Sequence, residues 1–236
     1  VTGRSKCPHC KTQISWYDNI PVLSFIILKF RCRACKEKIS WQYPLVELVV
    51  GAIFAFIGAR FFVPGDAQSF FTTAYHLVIV SFLMAIFVYD FLYMEIPALA
   101  LWPGIFFAIV SNLIFDWNVS DLSFSPLSLM TYSGALAAVA AFSLFFALVA
   151  VSKEKWMGMG DAYLVIFLGL ILGWPQILLA LVASFSLGAI IGVSLIAMGK
   201  KKMESRLPFA PFLVLGTFIA MFWYEPIVDW YLGLFY

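Results

Sequence analysis

GMGDAYLVIFLGLILG, residues 158–173, decides how this chain is threaded. Asp161 opens the segment, and no charged residue follows before Gly173. If the segment crosses a bilayer, every later loop lies on one side; if it turns back, every later loop changes sides. The distribution of cations chooses between the two. Of 15 Lys and Arg, eight precede residue 44, Lys153 and Lys155 lie just before the segment, and Lys200, Lys201, Lys202 and Arg206 follow the next apolar stretch. A crossing places 14 of the 15 on one side, leaving only Arg60 on the other. Cationic loops stay in the cytoplasm, so the segment is a span and the N-terminal region is cytoplasmic. From Asp161 to Gly173 the helix covers only ~20 Å at ~1.5 Å per residue, against a hydrocarbon core ~30 Å thick. The expectation is a helix that starts below the cytoplasmic surface with Asp161 recessed, or a locally thinned membrane.

Outward from this segment the chain is mostly lipid-soluble. Of its 236 residues 63% are hydrophobic and 12% charged, with a mean hydropathy of +0.96; a soluble domain carries about 25% charged residues. Seven spans are expected: about Pro44–Phe62, Phe70–Tyr89, Pro97–Phe115, Leu127–Val151, Asp161–Gly173, Pro175–Met198, and one from Pro211 to near Trp223 that extends toward the C-terminus. Pro44, Pro97, Pro175 and Pro211 sit at helix starts, where a missing N–H does least harm. The fold class is therefore an all-α polytopic membrane protein, divided into a cytoplasmic module (1–43) and a transmembrane domain (44–236). Membrane lipid is an expected partner, with the run from Lys200 to Lys202 as an anionic-lipid anchor; nucleic acid is not.

The module carries all four cysteines. Cys7-Pro8-His9-Cys10 and Cys32-Arg33-Ala34-Cys35 are two CxxC pairs separated by 21 residues. Each pair offers two thiolates on one tight turn, and two such turns close a tetrahedral zinc site. A reducing cytoplasm disfavours the alternative of structural disulfides; a redox pair or an unmetallated module are the other readings. With four thiols available, His9 is not needed as a ligand. Four protein ligands leave no open position for water, so this zinc is structural and folds a segment too short to build its own core.

Two acids lie at span ends: Asp90 in Val88-Tyr89-Asp90-Phe91 and Asp161 in Gly158-Met159-Gly160-Asp161. A carboxylate near hydrocarbon is expensive and is by default a functional candidate. Two carboxyls brought close share a proton, and one pair then supplies both an acid and a base. The ionised member can deprotonate a water that attacks a peptide carbonyl, while the protonated member polarises that carbonyl. The structural alternatives are an N-cap role for Asp161 and a solvated interfacial position for Asp90. Gly158 and Gly160 favour function, because they allow close approach of a substrate backbone. Glu47 reads as a first-turn acid on its helix dipole, Glu95 as a loop acid near Asp90, and His76 as a packing residue.

Together these residues resemble the bacterial type IV prepilin leader peptidases. The resemblance covers nearly the whole chain: Arg4–Cys10, Trp16–Ser24, Arg31–Cys35 with Ile39-Ser40, Tyr43–Glu47, Asp90 with Pro97, Gly158–Asp161, and Leu207–Phe212. It implies an aspartic endopeptidase in the bacterial inner membrane with Asp90 and Asp161 as catalytic pair. Such an enzyme removes the basic leader of type IV prepilins or type II secretion pseudopilins at the cytoplasmic face. It also implies N-methylation of the new N-terminus from S-adenosylmethionine, at a site whose residues the motifs do not identify; Glu47 and the segment around Asp18 are the candidates. Leu92 stands where the family often has a second acid, and Ala98 where Asp or Asn often follows the motif proline. The family also has a helix upstream of the cysteines, so a full protein of about eight spans is expected. Two other classes compete: a proton- or cation-coupled transporter using the two aspartates as a relay, whose usual repeats are not visible here, and a zinc-stabilised scaffold without chemistry.

Overall fold

The computed structural model describes residues 5–117, 129–199 and 207–234. Arg4, Leu127 and the cationic run from Lys200 to Lys202 with Arg206 lie outside the described residues. The described elements, apart from one 3-10 turn at Trp16–Asn19, are eight α-helices: α1 (Leu23–Ile27), α2 (Gln42–Phe61), α3 (Ala67–Tyr93), α4 (Ala98–Trp117), α5 (Met130–Ser152), α6 (Met159–Leu172), α7 (Gln176–Ala197) and α8 (Ala210–Leu232). All but α1 and α6 are long and apolar enough to cross a membrane, and the protein is a multi-pass membrane protein. Pro44 falls in the first turn of α2, Pro211 in that of α8, Pro97 directly precedes α4, and Pro175 is the N-cap of α7. The last helix is not one straight span: Trp223 leaves helical geometry (φ −129°, ψ 17°) three residues before Pro226, and the helix resumes to Leu232. Proline there removes a backbone donor and crowds the preceding turn, which kinks the helix.

The chain forms two compact units, residues 1–77 and 78–236. In the first, two turns of matching geometry present the cysteines. Cys7 N–H bonds to the Thr12 carbonyl and Lys11 N–H to the Cys7 carbonyl; Cys32 and Lys36 repeat the pattern with Glu37 and Cys32. Lys11 and Lys36 occupy the same left-handed position (φ 58° and 62°). Antiparallel bridges, Lys6 with Gln13 and Arg31 with Lys38, close the two turns. Phe25, Phe30 and Trp41 form a small aromatic cluster in which only Phe25 is buried, with ring centroids 4.8–5.2 Å apart. Further along, His76 bonds through Nδ1 to the Thr72 carbonyl (2.7 Å) and stacks on Phe61, as a packing residue should.

In the second unit α6 is the hub, in contact with α4, α5, α7 and α8. It is short and apolar all round, which suits a helix wrapped by protein rather than lipid. Ala162, Leu164, Val165, Phe167 and Leu168 are fully buried. Lipid tails are as apolar as leucine, so close packing rather than water exclusion holds such helices together. Gly169 makes that contact possible: a Cβ there would lie 2.5 Å from the Cα of Ala138. Asn112 adds a polar tie, donating Nδ2–H to the Leu170 carbonyl (2.8 Å). Asp116 near the end of α4 accepts the N–H groups of Met130 and Thr131 (2.8 Å each) and so caps α5.

Candidate active site and metal centre

On α3 the residues Ile79, Leu83, Ile86 and Asp90 recur at helical spacing on one buried stripe. Asp90 therefore lies on the core face, 5% exposed, with its Oδ2 atom lacking any partner. The expected span ended at Tyr89, but α3 continues to Tyr93. It stops at Met94, whose left-handed backbone (φ 55°) sends its N–H back to the Asp90 carbonyl (2.8 Å), an αL cap. The solvated interfacial reading of Asp90 does not fit this burial. Glu95, by contrast, is exposed in the loop that follows.

Asp161 enters from the start of α6. Gly158 is the N-cap, so Asp161 is the third helical residue, and its carboxylate accepts the Gly158 N–H. That is half of a capping box, so Asp161 caps from the third helical position and is not the N-cap suggested by the sequence; the same acid also lies within electrostatic reach of Asp90. Asp90 in turn accepts the N–H of Ala210 at the start of α8. Three helix ends converge here: the C-terminus of α3 and the N-termini of α6 and α8. The two N-termini direct free N–H groups and the positive ends of their dipoles at the acids.

The glycines divide their work. Gly160 is needed for packing: a Cβ would stand 3.3 Å from Cδ1 of Ile96, in the loop after α3. Gly158 is exposed, and only Asp161 Oδ2 and the Gly160 nitrogen come near its Cβ position, at 3.9 and 4.0 Å. Close approach of a substrate backbone is thus open at Gly158 and not at Gly160. Ile96 and the Ala210 amide are site components that motif reading missed. The Pro208-Phe209-Ala210-Pro211 run was visible, but which acid its first amides meet is a matter of tertiary contact.

The four cysteine sulfurs lie within 4.8 Å of one another, with Cys7 and Cys35 at 3.9 Å. A tetrahedral ion with ~2.3 Å bonds to sulfur separates its ligands by ~3.8 Å, so the cage fits zinc. Thr12 donates its hydroxyl and N–H to Cys10 and brings that thiol down to about 6, toward the thiolate that metal binding needs. Beside the cage, Arg33 clamps Asp18 with two bonds (2.8 and 2.7 Å) and holds its carboxyl below the usual range. Glu47 corrects the first-turn reading. It stands in the second turn of α2, and its Oε2 accepts the Val22 N–H (2.8 Å), tying α1 to α2. Asp18, Tyr43 and Glu47 line a recess of about 700 Å³ that reaches the cage.

Residues 1–61 match the family model for the bacterial peptidase A24 N-terminal domain, and residues 77–193 match that for the type IV leader peptidase family. Curated relatives called prepilin leader peptidase/N-methyltransferase align along almost the whole chain. Those of Aeromonas salmonicida and Bacillus subtilis are each 32% identical over 99% of this chain, covering 76% and 87% of their own lengths. That of Legionella pneumophila is 30% identical over 98% of this chain and 76% of its own length. No solved structure matches. With both regions matched in order and relatives aligned over nearly all of this chain, it belongs to the type IV leader peptidase family.

Proposed function

We propose that this chain is an intramembrane aspartic endopeptidase that cuts the basic leader from prepilins or pseudopilins and N-methylates the residue it exposes. Asp90 and Asp161 are the catalytic pair in this reading. The observation that carries it is the electrostatic contact between two carboxyls held at converging helix ends, in a chain of this family. The ionised carboxyl takes a proton from water as the water oxygen bonds to the scissile carbonyl carbon. The protonated carboxyl delivers its proton to the carbonyl oxygen. The resulting gem-diol returns one hydroxyl proton to the carboxylate that had protonated it, the C–N bond breaks, and the nitrogen leaves with the proton taken from water, which restores the pair. Asp161 is half-buried and Asp90 is buried, so both carboxyls are held largely away from bulk water.

Zinc held by Cys7, Cys10, Cys32 and Cys35 has a structural role, because all four positions are filled by thiolate. The methyl group comes from S-adenosylmethionine. Glu47, with the Tyr43 ring, gives the recess an acid and an aromatic face that suit a cationic sulfonium bearing a purine. The enzyme sits in the inner membrane with the cysteine module and the aspartate pair toward the cytoplasm, the side on which an unexported leader is found.

The test is cleavage of a prepilin by purified protein. Asp90→Asn and Asp161→Asn should each lower the rate by about 10²–10⁴-fold or more while thermal unfolding stays close to wild type. Full activity in either variant would sink the pair. Mass spectrometry of the cleaved product reads methylation separately, and Glu47→Ala should lower methylation more than cleavage.

A further inference from the structure

Helix α1 is apolar on both of its faces. Phe25 turns inward, 6% exposed, onto Phe30 and Trp41. Leu23, Ile26 and Ile27 share the opposite face at spacings of three and four residues, and they are 51%, 57% and 63% exposed. An apolar face that the fold leaves open marks an interaction surface.

Two observations say what covers it. The first is level. The Val22 N–H, directly before α1, is bound to Glu47 in the second turn of α2. Glu47 lies five residues past the first residue of α2, ~7.5 Å along its axis. The start of α1 is therefore held level with the opening turns of a membrane span. Trp41 and Tyr43, both exposed, flank that opening, as aromatic residues do at a headgroup boundary. The second is charge. Lys29 and Arg31 follow the apolar face directly, and residues 5–43 carry seven cations against two acids. Arg31 pairs with Lys38 across the antiparallel bridge, which puts two like charges on one face. Among the described residues the only ion pair is Arg33 with Asp18. An anion placed between Arg31 and Lys38 would relieve their repulsion.

We infer that α1 and the Lys29–Arg31 turn form an interfacial foot. Leu23, Ile26 and Ile27 enter the leaflet at the N-terminal end of α2, and Lys29, Arg31 and Lys38 engage anionic phospholipid headgroups. An apolar face rimmed by cations is the chemistry of helices that lie in the membrane plane. The foot fixes the height of the cysteine module above the bilayer, and Glu47 is the strut.

The experiment uses the full chain in nanodiscs of phosphatidylcholine alone or mixed with phosphatidylglycerol. A photo-crosslinking benzoylphenylalanine replaces Ile27, and adducts are read by mass spectrometry. Phospholipid adducts, with phosphatidylglycerol enriched beyond its share of the mixture, are expected. The enrichment should fall roughly fivefold for each of Arg31→Gln and Lys38→Gln. Adducts to the chain's own residues, or lipid adducts in simple proportion to lipid abundance, would overturn the inference. Amide exchange of residues 23–31 in unlabelled wild type guards against a label that disturbs the fold. Slower exchange in the phosphatidylglycerol discs supports the foot, and equal exchange in both discs refutes it.

Discussion

Gly160 shows how single positions divide between chemistry and packing. Gly160→Ala forces a Cβ to within 3.3 Å of Ile96. Overpacking of this kind costs about 1–3 kcal/mol, here between the loop after Asp90 and the turn before Asp161. Cleavage should fall roughly tenfold or more, and Ile96→Val in the same chain should restore part of it. No rescue in a kinetic comparison of single and double variants would mean that Gly160 serves something other than this contact. Asp18 makes a pH prediction. Arg33 holds its carboxyl below the ordinary value, so its stabilisation is complete above that ordinary value, near 4, and is lost as pH falls through the folded one. Asp18→Asn should therefore lower the unfolding temperature of the cysteine module slightly near neutrality, a half-exposed pair contributing little, and the difference from wild type should vanish as pH falls below about 4. At this scale the residue types and their motifs were legible in the chain. The partners were not: Glu47 bonds a backbone N–H 25 residues away, and no side-chain pattern announces it.

Among the elements, α6 carries the most consequence because it packs on four other described helices, α4, α5, α7 and α8. Its shortness was legible from Asp161 and Gly173. The reason for its shortness was not, since a 14-residue apolar helix can be thinly covered by lipid or fully covered by protein. The packed arrangement rests on glycine against backbone. Gly169→Ala would set a methyl 2.5 Å from Ala138 and should lower stability by about 1–3 kcal/mol, with cleavage falling as α5 and α6 separate. Gly51→Ala in α2 meets nothing within 4 Å; it should be neutral or stabilise by up to about 1 kcal/mol. Thermal unfolding of the two variants in one detergent checks the contrast, and equal effects would deny the special closeness of α5 and α6.

For the molecule as a whole, the two compact units make different demands on their surroundings. The first has four thiols gathered around a space that fits one ion; the second is built on the packing of its buried helices. Chelation should therefore release one metal per chain and raise amide exchange across residues 5–40, while α4 to α8 keep their protection. Cys7→Ser and Cys32→Ser should reproduce that pattern. A purified chain without metal, with normal exchange and normal cleavage in both variants, would remove zinc from the account.

The sequence by itself determined what depends on short-range pattern. Apolar runs and their proline starts mark the long helices, and two CxxC turns supply the four thiols that come together. Even the burial of Asp90 was implicit, since Ile79, Leu83, Ile86 and Asp90 follow one helical stripe. Tertiary structure alone decided that Asp90 comes within electrostatic reach of Asp161, that Ala210 at the start of α8 turns its N–H to Asp90, and that Ile96 fills the space beside Gly160. The physical reason is that helix periodicity tells which face is buried but not against what. That choice falls to glycine and alanine contacts such as Gly169 on Ala138, whose partners lie far apart in the chain and become neighbours only when the bundle closes.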